Sequence, residues 1–399
     1  MKRKQTVKEL ELSGKKVFIR VDFNVPLDEN QNITDDARIR AALPTISYVL
    51  EQGGIPVLGS HLGRPKEGPD PKLSLKPAAK RLQELLPNAG VQFASDCIGS
   101  EVQQKVAGLK EKDVLLLENL RFHYKEETKN HDEFAKALAD NGAEVYVNDA
   151  FGTAHRAHAS TQGMVKYFPE NARGIGFLME KEVEYLGKAI SNPERPYVAI
   201  LGGAKISGKI DVIQNLGKIV DKLIIGGGMA YTFFKAQGYE IGKSLLEEDK
   251  IDMAKELLNT YNEKLVLPVD TVVADKFAND ANRKVVDVDS IPADMEGMDI
   301  GPKSLAIFKN ILKDAKMVVW NGPLGVFEFD NFARGTFEIA ELLADINATT
   351  IIGGGDSASA IKKAGLVDSF SHISTGGGAS LEFLEGKEFP ALSVIPDID

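Results

Sequence analysis

The chain has 399 residues, a formal charge of −10, 43% hydrophobic and 27% charged residues, and a single cysteine. Single cores seldom organise more than about 250–300 residues, so two domains are expected. The acidic balance argues against a nucleic-acid or anionic-membrane surface, no apolar run approaches the ~18–20 residues of a membrane span, and Cys97 alone excludes an internal disulfide and suits a reducing cytoplasm.

The basic start, MKRKQTVKELELSGKK, has no apolar stretch behind it and does not read as a secretory signal. KVFIRVDFN (16–24) then reads as a short buried strand running into a polar turn. IPVLGSHLGR (55–64), VLLLENLRF (114–122) and EVYVNDAFG (144–152) repeat that pattern. After the last comes AHRAHAS (154–160), with His155, Arg156 and His158 crowded together. EKEVEYLGKAIS (180–191) is a helical pattern expected to link two halves.

Beyond it, YVAILGGAK (197–205), KLIIGGG (222–228), MVVWNGP (317–323), TTIIGGG (349–355) and SHISTGGG (371–378) are strands that end on glycine turns. Between them, Leu305, Phe308, Ile311 and Leu312 fall at helical spacing, as do Phe337, Ala340, Leu343 and Ile346. Strands alternating with helices predict an α/β fold. We read two tandem doubly wound, Rossmann-like parallel-sheet domains facing a central cleft, with ligands beyond the carboxyl ends of the strands.

The turns of the two halves differ in chemistry. Nine of the twelve arginines lie within the first 173 residues, and a guanidinium suits bidentate capture of carboxylate or phosphate. The cluster at 155–158 could bind a metal, carry acid–base chemistry or hold an anion. A structural zinc site would want four ligands, usually with cysteine, and none stands at fitting spacing. An anion site accounts for the histidines and the other arginines together; purely structural histidines are the alternative. GSHLGRP (59–65) repeats the theme.

In the second half, glycine triplets at 226–228, 353–355 and 376–378 join the pair Gly202–Gly203. Glycine turns admit close backbone approach, and a following helix N-terminus attracts phosphate. There is no G-x-G-x-x-G, and GYEIGKS (238–244) is a residue short of a P-loop and follows a helical stretch. Asp356 reads either as a helix N-cap or as a carboxylate ligand of Mg²⁺ beside nucleotide phosphates. Lys205 and Lys209, four apart, are expected on one helix face.

RVDFNVP (20–26), ARIRAALPTI (37–46), SHLGRP (60–65), ENLRFH (118–123), NDAFGTAHRAHAS (148–160), LGGAKISGK (201–209), GGGMA (226–230), WNGPLGVFE (320–328), GGGDSA (353–358) and STGGGASLE (374–382) together resemble the phosphoglycerate kinase family, in order and over nearly the whole chain. Ser357 stands where many relatives carry threonine.

The resemblance implies a phosphoglycerate-binding domain over 1–172, with 390–399 returning to it, and a nucleotide-binding domain over 173–389. It implies that Asp22, Phe23, Asn24, Arg38, His61, Leu62, Gly63, Arg64, Arg121 and Arg156 hold the triose. Lys205, Lys209, Gly297, Glu328, Gly354, Gly355, Asp356 and Ser357 would hold ATP or ADP, with Mg²⁺ at Asp356. Gly377 and Gly378 would face the migrating phosphoryl group, with Arg38, Lys205 and Lys209 catalytic. The implied reaction is transfer between 1,3-bisphosphoglycerate and ADP, giving 3-phosphoglycerate and ATP, by a cytoplasmic monomer whose domains close about the linking helix. Two readings from other classes remain. A two-lobed anion-binding protein without catalysis would share the architecture, and a nicotinamide dehydrogenase the fold class but not its fingerprint.

Overall fold

Ile55–Gly59 and Tyr197–Leu201 are buried along their full length. Strands buried on both faces must be covered by helices on both sides, which is the setting of parallel sheets. The computed structural model describes residues 2–398. They divide into two units, residues 1–184 with 388–399, and residues 185–387.

The strands of the first unit are β1 (Arg3–Lys4), β2 (Lys16–Arg20), β3 (Ile55–Gly59), β4 (Gly90–Phe93), β5 (Asp113–Leu116), β6 (Val145–Asn148) and β7 (Arg173–Ile175). Six of them form a parallel sheet in the order β4-β5-β3-β2-β6-β7. Val17, Ile19, Leu58, Leu116 and Val147 pack there against Ile39, Ile46 and Val49 of the helix Ala37–Glu51. Each such side chain contributes about 1.5–3 kcal/mol on burial.

The second unit contains β8 (Tyr197–Leu201), β9 (Lys222–Ile225), β10 (Leu265–Val266), β11 (Asp270–Ala274), β12 (Arg283–Asp287), β13 (Glu296–Ile300), β14 (Met317–Asn321), β15 (Thr349–Gly353) and β16 (His372–Ile373). Its parallel sheet runs β10-β9-β8-β14-β15-β16. The order reverses between β8 and β14, so the turns after these two strands flank the switch point where such sheets bind ligands. Leu305, Phe308 and Leu312 and, from the next helix, Ala340 and Leu343 enter its core as their spacing predicts. Ile311 and Ile346 pack at its margin.

Three features depart from the sequence reading. An antiparallel sheet, β12-β11-β13, stands beside the parallel one. Its outer strand β12 is almost wholly exposed, so it shows neither a buried run nor a glycine turn. The linking helix starts earlier, spanning Phe177–Ser191, and the division between units falls inside it. The second domain therefore does not begin at residue 173, because Arg173–Ile175 hydrogen-bonds alongside β6 in the first sheet. At the other terminus, β17 (Asp397–Ile398) pairs antiparallel with β1.

Asp149 explains where the linking helix begins. Its Oδ1 accepts from the Leu178 and Met179 N–H groups at 3.0 and 3.2 Å, serving donors that a helix start leaves free. A Cβ at Gly176 would lie 2.2 Å from that same oxygen, so only glycine lets the chain pass. Burial pushes the Asp149 carboxyl up to about 7.

Candidate functional site

In the first unit, β2, β3, β5 and β6 end side by side and hand the chain to the turns that carry the predicted triose residues. Arg20, the last residue of β2, is fully buried in their midst. Its Nε donates to Ser160 Oγ at 2.8 Å, Nη1 donates to the Val21 carbonyl, and Nη2 lies 3.2 Å from His61 Nδ1. A guanidinium only donates, so His61 accepts at Nδ1 and keeps its proton on Nε2. Burial, followed by the charges of Arg20, Arg121 and Arg38, holds His61 well below the usual imidazole range. It is a neutral N–H donor at pH 7.

The turn after β3 is fixed from two sides. Asn24 Oδ1 accepts from the Gly63 N–H at 2.9 Å, and the buried Asn119 accepts from Leu62 N–H and Arg121 N–H while donating to the Leu62 and Leu73 carbonyls. Phe23, also buried, donates its N–H to Ser60 Oγ at 2.8 Å. Gly63 adopts φ +61°, a conformation that disfavours a side chain. Its carbonyl accepts from Arg121 Nη1 at 2.8 Å, while the buried Arg121 Nε has no partner. Burial, then Arg20 and Arg156, brings Arg121 down to about 10. Asp22 pairs with Arg38 at 2.8 Å. Arg64 and Arg156 are exposed, and neither they nor Arg121 has a carboxylate partner among the described residues.

The residues of the cluster at 155–158 stay close but make different contacts. Arg156 donates to His155 Nε2 at 2.9 Å, and the His155 ring packs near Phe389. His158 is buried, and its backbone helps to close the turn, its N–H donating to Thr161 Oγ1. Burial, reinforced by neighbouring arginines, takes His155 to about 4 and His158 to about 3. Both are neutral at pH 7, so the positive charge of this turn resides on Arg156. Glu127 is fully buried, holds Ser160 through its N–H and Oγ, and thereby seats Arg20. Sequence reasoning missed Arg20, Glu127 and Asn119. An arginine closing an apolar strand, KVFIR, was the available signal for the first; Glu127 sits in a polar helix and gave none.

The second unit builds its site from backbone. A Cβ at Gly202 would lie 2.1 Å from the Pro323 carbonyl oxygen, one at Gly227 2.6 Å from the Gly203 nitrogen, and one at Gly322 2.2 Å from the Gly202 oxygen. Three of these glycines thus serve to interlock the turns after β8, β9 and β14. Gly355, Gly377 and Gly378 are different, since a Cβ there would meet nothing within 4 Å. Gly377 N-caps the short helix Gly378–Leu384 with φ +55°.

A cavity of about 490 Å³ opens against the interlocked turns. Ala204, Gly228, Tyr231, Phe234, Leu324 and Val326 line it, together with Gly297, Glu328 and Asp356 from the predicted set. Its far wall is β11 and β13, the strands that sequence reasoning missed. A Cβ on Gly297 would sit 1.7 Å from Tyr231 Oη, which itself bonds Thr271 Oγ1 at 2.7 Å. Lys205, Lys209, Gly354 and Gly355 do not line the cavity; Lys205 stands on the turn after β8, and Lys209, Gly354 and Gly355 at helix starts.

One expectation and one alternative reading fail here. Lys205 and Lys209 do not share a helix face, because the helix starts only at Ile210 and the residues before it form a turn closed from Lys209 N–H to the Ile206 carbonyl. Nor does Asp356 cap its helix: Gly354 is the N-cap, at φ +88°, and Asp356 is exposed in the first turn of Gly355–Lys363. Its carboxylate is therefore available to a ligand. Ser357 is buried, and its Oγ accepts from Gly322 N–H at 2.6 Å. Lys209 donates to Asn321 Oδ1, and burial lowers its ammonium to about 8 against the opposing pull of Asp356 and Glu385.

Comparison with known proteins gives a consistent result. The family model described as phosphoglycerate kinase matches residues 7–387. The phosphoglycerate kinase of Chloroherpeton thalassium is 57% identical over 98% of this chain and 99% of its own. The cytosolic phosphoglycerate kinase of Nicotiana tabacum is 57% identical over 98% of each chain. The solved phosphoglycerate kinase structures from Coxiella burnetii and Pyrococcus horikoshii cover 98% of this chain and 98% of theirs, at 41% and 34% identity with TM-scores of 0.88 and 0.83.

Proposed function

The chain belongs to the phosphoglycerate kinase family, and from that premise we propose how its own residues divide the work of phosphoryl transfer. The protein is a phosphotransferase with a carboxyl group as acceptor, acting in glycolysis on phosphoglycerate and adenine nucleotides. The acyl phosphate of 1,3-bisphosphoglycerate passes its phosphoryl group to ADP, and the reaction runs in both directions. Such transfer asks the protein mainly for positioning and for charge to meet the three equatorial oxygens.

We assign the triose to the first unit. The observation that carries this assignment is that Arg64, Arg121 and Arg156 lack carboxylate partners among the described residues, on segments that follow β3, β5 and β6 of one parallel sheet. Three such charges repel one another until an anion joins them, and the orphaned Arg121 Nε supplies a buried donor. His61 adds a neutral Nε2–H. Asp22 and Asn24 shape the turn and orient Arg38, which turns toward the migrating phosphoryl group. His158 closes its turn and moves no proton, since an acyl phosphate needs no general base.

We assign the nucleotide to the second unit. The mostly apolar cavity suits a flat base, with Gly297 giving the Tyr231 hydroxyl its place in the wall. Gly354 and Gly355 let the phosphates approach the helix Gly355–Lys363, whose N-terminal N–H groups favour anions. Lys205 and Lys209 supply charge, while Gly377 and Gly378 leave space for the transferred group. Asp356 fits Mg²⁺, because its exposed carboxylate is free of the capping role and beside the phosphate turns. The ion, when bound, would neutralise phosphate charge. Transfer needs reacting atoms about 3–3.5 Å apart, so closure about the helix Phe177–Ser191 belongs to the same proposal.

The plant relatives are named cytosolic, and no helix among the described residues is long and apolar enough to cross a membrane. A cytoplasmic monomer without nucleic-acid partners completes the reading. The test is a coupled assay with 3-phosphoglycerate, ATP and Mg²⁺, repeated with Asp356→Asn. We expect turnover, and in the variant a several-fold higher Mg²⁺ requirement with an unchanged melting temperature. Unaltered Mg²⁺ dependence removes Asp356 from the metal.

A further inference from the structure

Away from the residues assigned above, the loop after β4 brings three unlike ligand-bearing side chains together. Asp96, Cys97 and His123 each offer one ligand atom, and these atoms lie within 4.8 Å of one another. His123 Nε2 is 2.7 Å from Asp96 Oδ1, and the ring also packs on Phe134 at 4.9 Å between centroids. Cys97 is fully buried and its Sγ donates to the Glu118 carbonyl at 2.9 Å. Asp96 and His123 reach the surface, with side chains 52% and 29% exposed. One wall of the cluster is thus solvent and the opposite wall is sulfur.

We propose that Asp96, Cys97 and His123 form a binding site for a borderline transition cation such as Zn²⁺, separate from the Mg²⁺ assigned to Asp356. A thiolate, an imidazole and a carboxylate match the preferences of zinc and cobalt, whereas magnesium takes oxygen ligands. Bond lengths of about 2.0–2.3 Å place tetrahedral ligands roughly 3.3–3.8 Å apart. The longer distances within the cluster must therefore shorten by up to about 1 Å, while the 2.7 Å hydrogen bond between His123 and Asp96 opens by about 0.6 Å to admit the cation; both movements are side-chain rotations open to the partly exposed Asp96 and His123. A water molecule would take the fourth position on the solvent side.

Binding has a definite proton balance. The Sγ–H bond breaks, the proton leaves to buffer, and the Sγ–metal bond forms; the Glu118 carbonyl loses its donor in exchange. Burial holds the free thiol well above its ordinary range, and of the charges facing it Asp96, Glu127 and Glu118 raise it further while Arg20 opposes them. A cation that does not favour thiolate cannot displace that proton. The Asp96 hydrogen bond raises His123 above the ordinary imidazole range, and any proton on Nε2 must leave before that nitrogen can ligate.

The experiment is to titrate the reduced full-length protein with Co²⁺, without nucleotide, and record its absorption. Because the chain has one cysteine, any thiolate-to-cobalt charge-transfer band comes from Cys97. We expect that band together with intense tetrahedral visible bands, both abolished by added Zn²⁺. His123→Ala and Asp96→Asn, both partly exposed and outside the triose and nucleotide sites, should weaken Co²⁺ binding by roughly tenfold or more. They carry the test if Cys97→Ser, at a buried position, fails to fold. Weak six-coordinate bands with no charge-transfer band overturn the proposal, as does unchanged affinity in both surface variants.

Discussion

In the proposed division of ligands, the two units would reach anion recognition by opposite routes. The first spends side chains: buried Glu127 and Ser160 seat the Arg20 guanidinium, Arg20 meets the His61 imidazole, and buried Asn119 fixes the backbone of the Leu62 and Arg121 turns. The second spends backbone: Gly202, Gly227 and Gly322 interlock so that turns meet, and a mostly apolar cavity forms against them. A compact triose carries most of its recognisable chemistry as charge, so a rigid set of donors suits it. A nucleotide presents a broad flat base as well as phosphates, and it needs surface and close approach.

The contrast is broken most severely at Arg38, which the reading gives to the transition state and not to ground-state binding. By analogy with losing one oxyanion donor, Arg38→Ala is expected to lower kcat by about 10²–10³, or ~2.7–4 kcal/mol. Steady-state kinetics check this; a loss confined to KM for 3-phosphoglycerate would make Arg38 a binding residue only. Next come Arg64→Ala and Arg121→Ala, each removing a charge-assisted bond of ~1.5–3 kcal/mol. Calorimetry should show weaker 3-phosphoglycerate binding with ADP untouched. Equal losses for both ligands would end the division between units.

The mirror experiment is Gly297→Ala. Its methyl would meet Tyr231 Oη, so this cavity-lining ring must shift and lose its bond to Thr271. ADP affinity should fall roughly tenfold, the cost of about one hydrogen bond, while 3-phosphoglycerate binds as before. An unchanged ADP affinity would move the base out of this cavity.

Lys209 sharpens the comparison through pH. Its folded value, about 8, lies below the ordinary lysine value of 10.5 because burial disfavours the ammonium. The cost to stability is therefore fully present below about pH 8 and is relieved as pH rises toward 10.5. Phosphate needs the ammonium, so ADP affinity should weaken as pH climbs through 8, by at most about tenfold per unit. Titration at several pH values checks it. Lys209→Arg should flatten the profile, and a wild-type profile already flat would exclude a phosphate contact.

Strand-then-turn runs and helical spacing were legible because they are local. Tyr197–Leu201 reads as a covered strand since five apolar residues in a row have few other fates, and Leu305, Phe308 and Leu312 reach the core because 3.6-residue periodicity sets the face before any partner is known. Motif residues such as Arg121 and Asp356 were legible as chemistry for the same reason. Their roles in three dimensions were not. Whether a glycine interlocks with another turn or leaves open space, as Gly227 and Gly378 do, depends on what lies across from it. The helix-face reading of Lys205 and Lys209 failed because spacing alone does not say where a helix starts; the turn that Ile206 closes decides it. The wall formed by β11 and β13 escaped notice because neither strand runs into a glycine-cluster or polar-motif turn like those that marked the parallel strands, and their exposed partner β12 shows no buried run. Most of all, the protonation of His61, the orphaned Arg121 Nε and the depressed Lys209 arise from burial and from neighbours distant in the chain. Desolvation acts through space, so only the folded chain could set these charges.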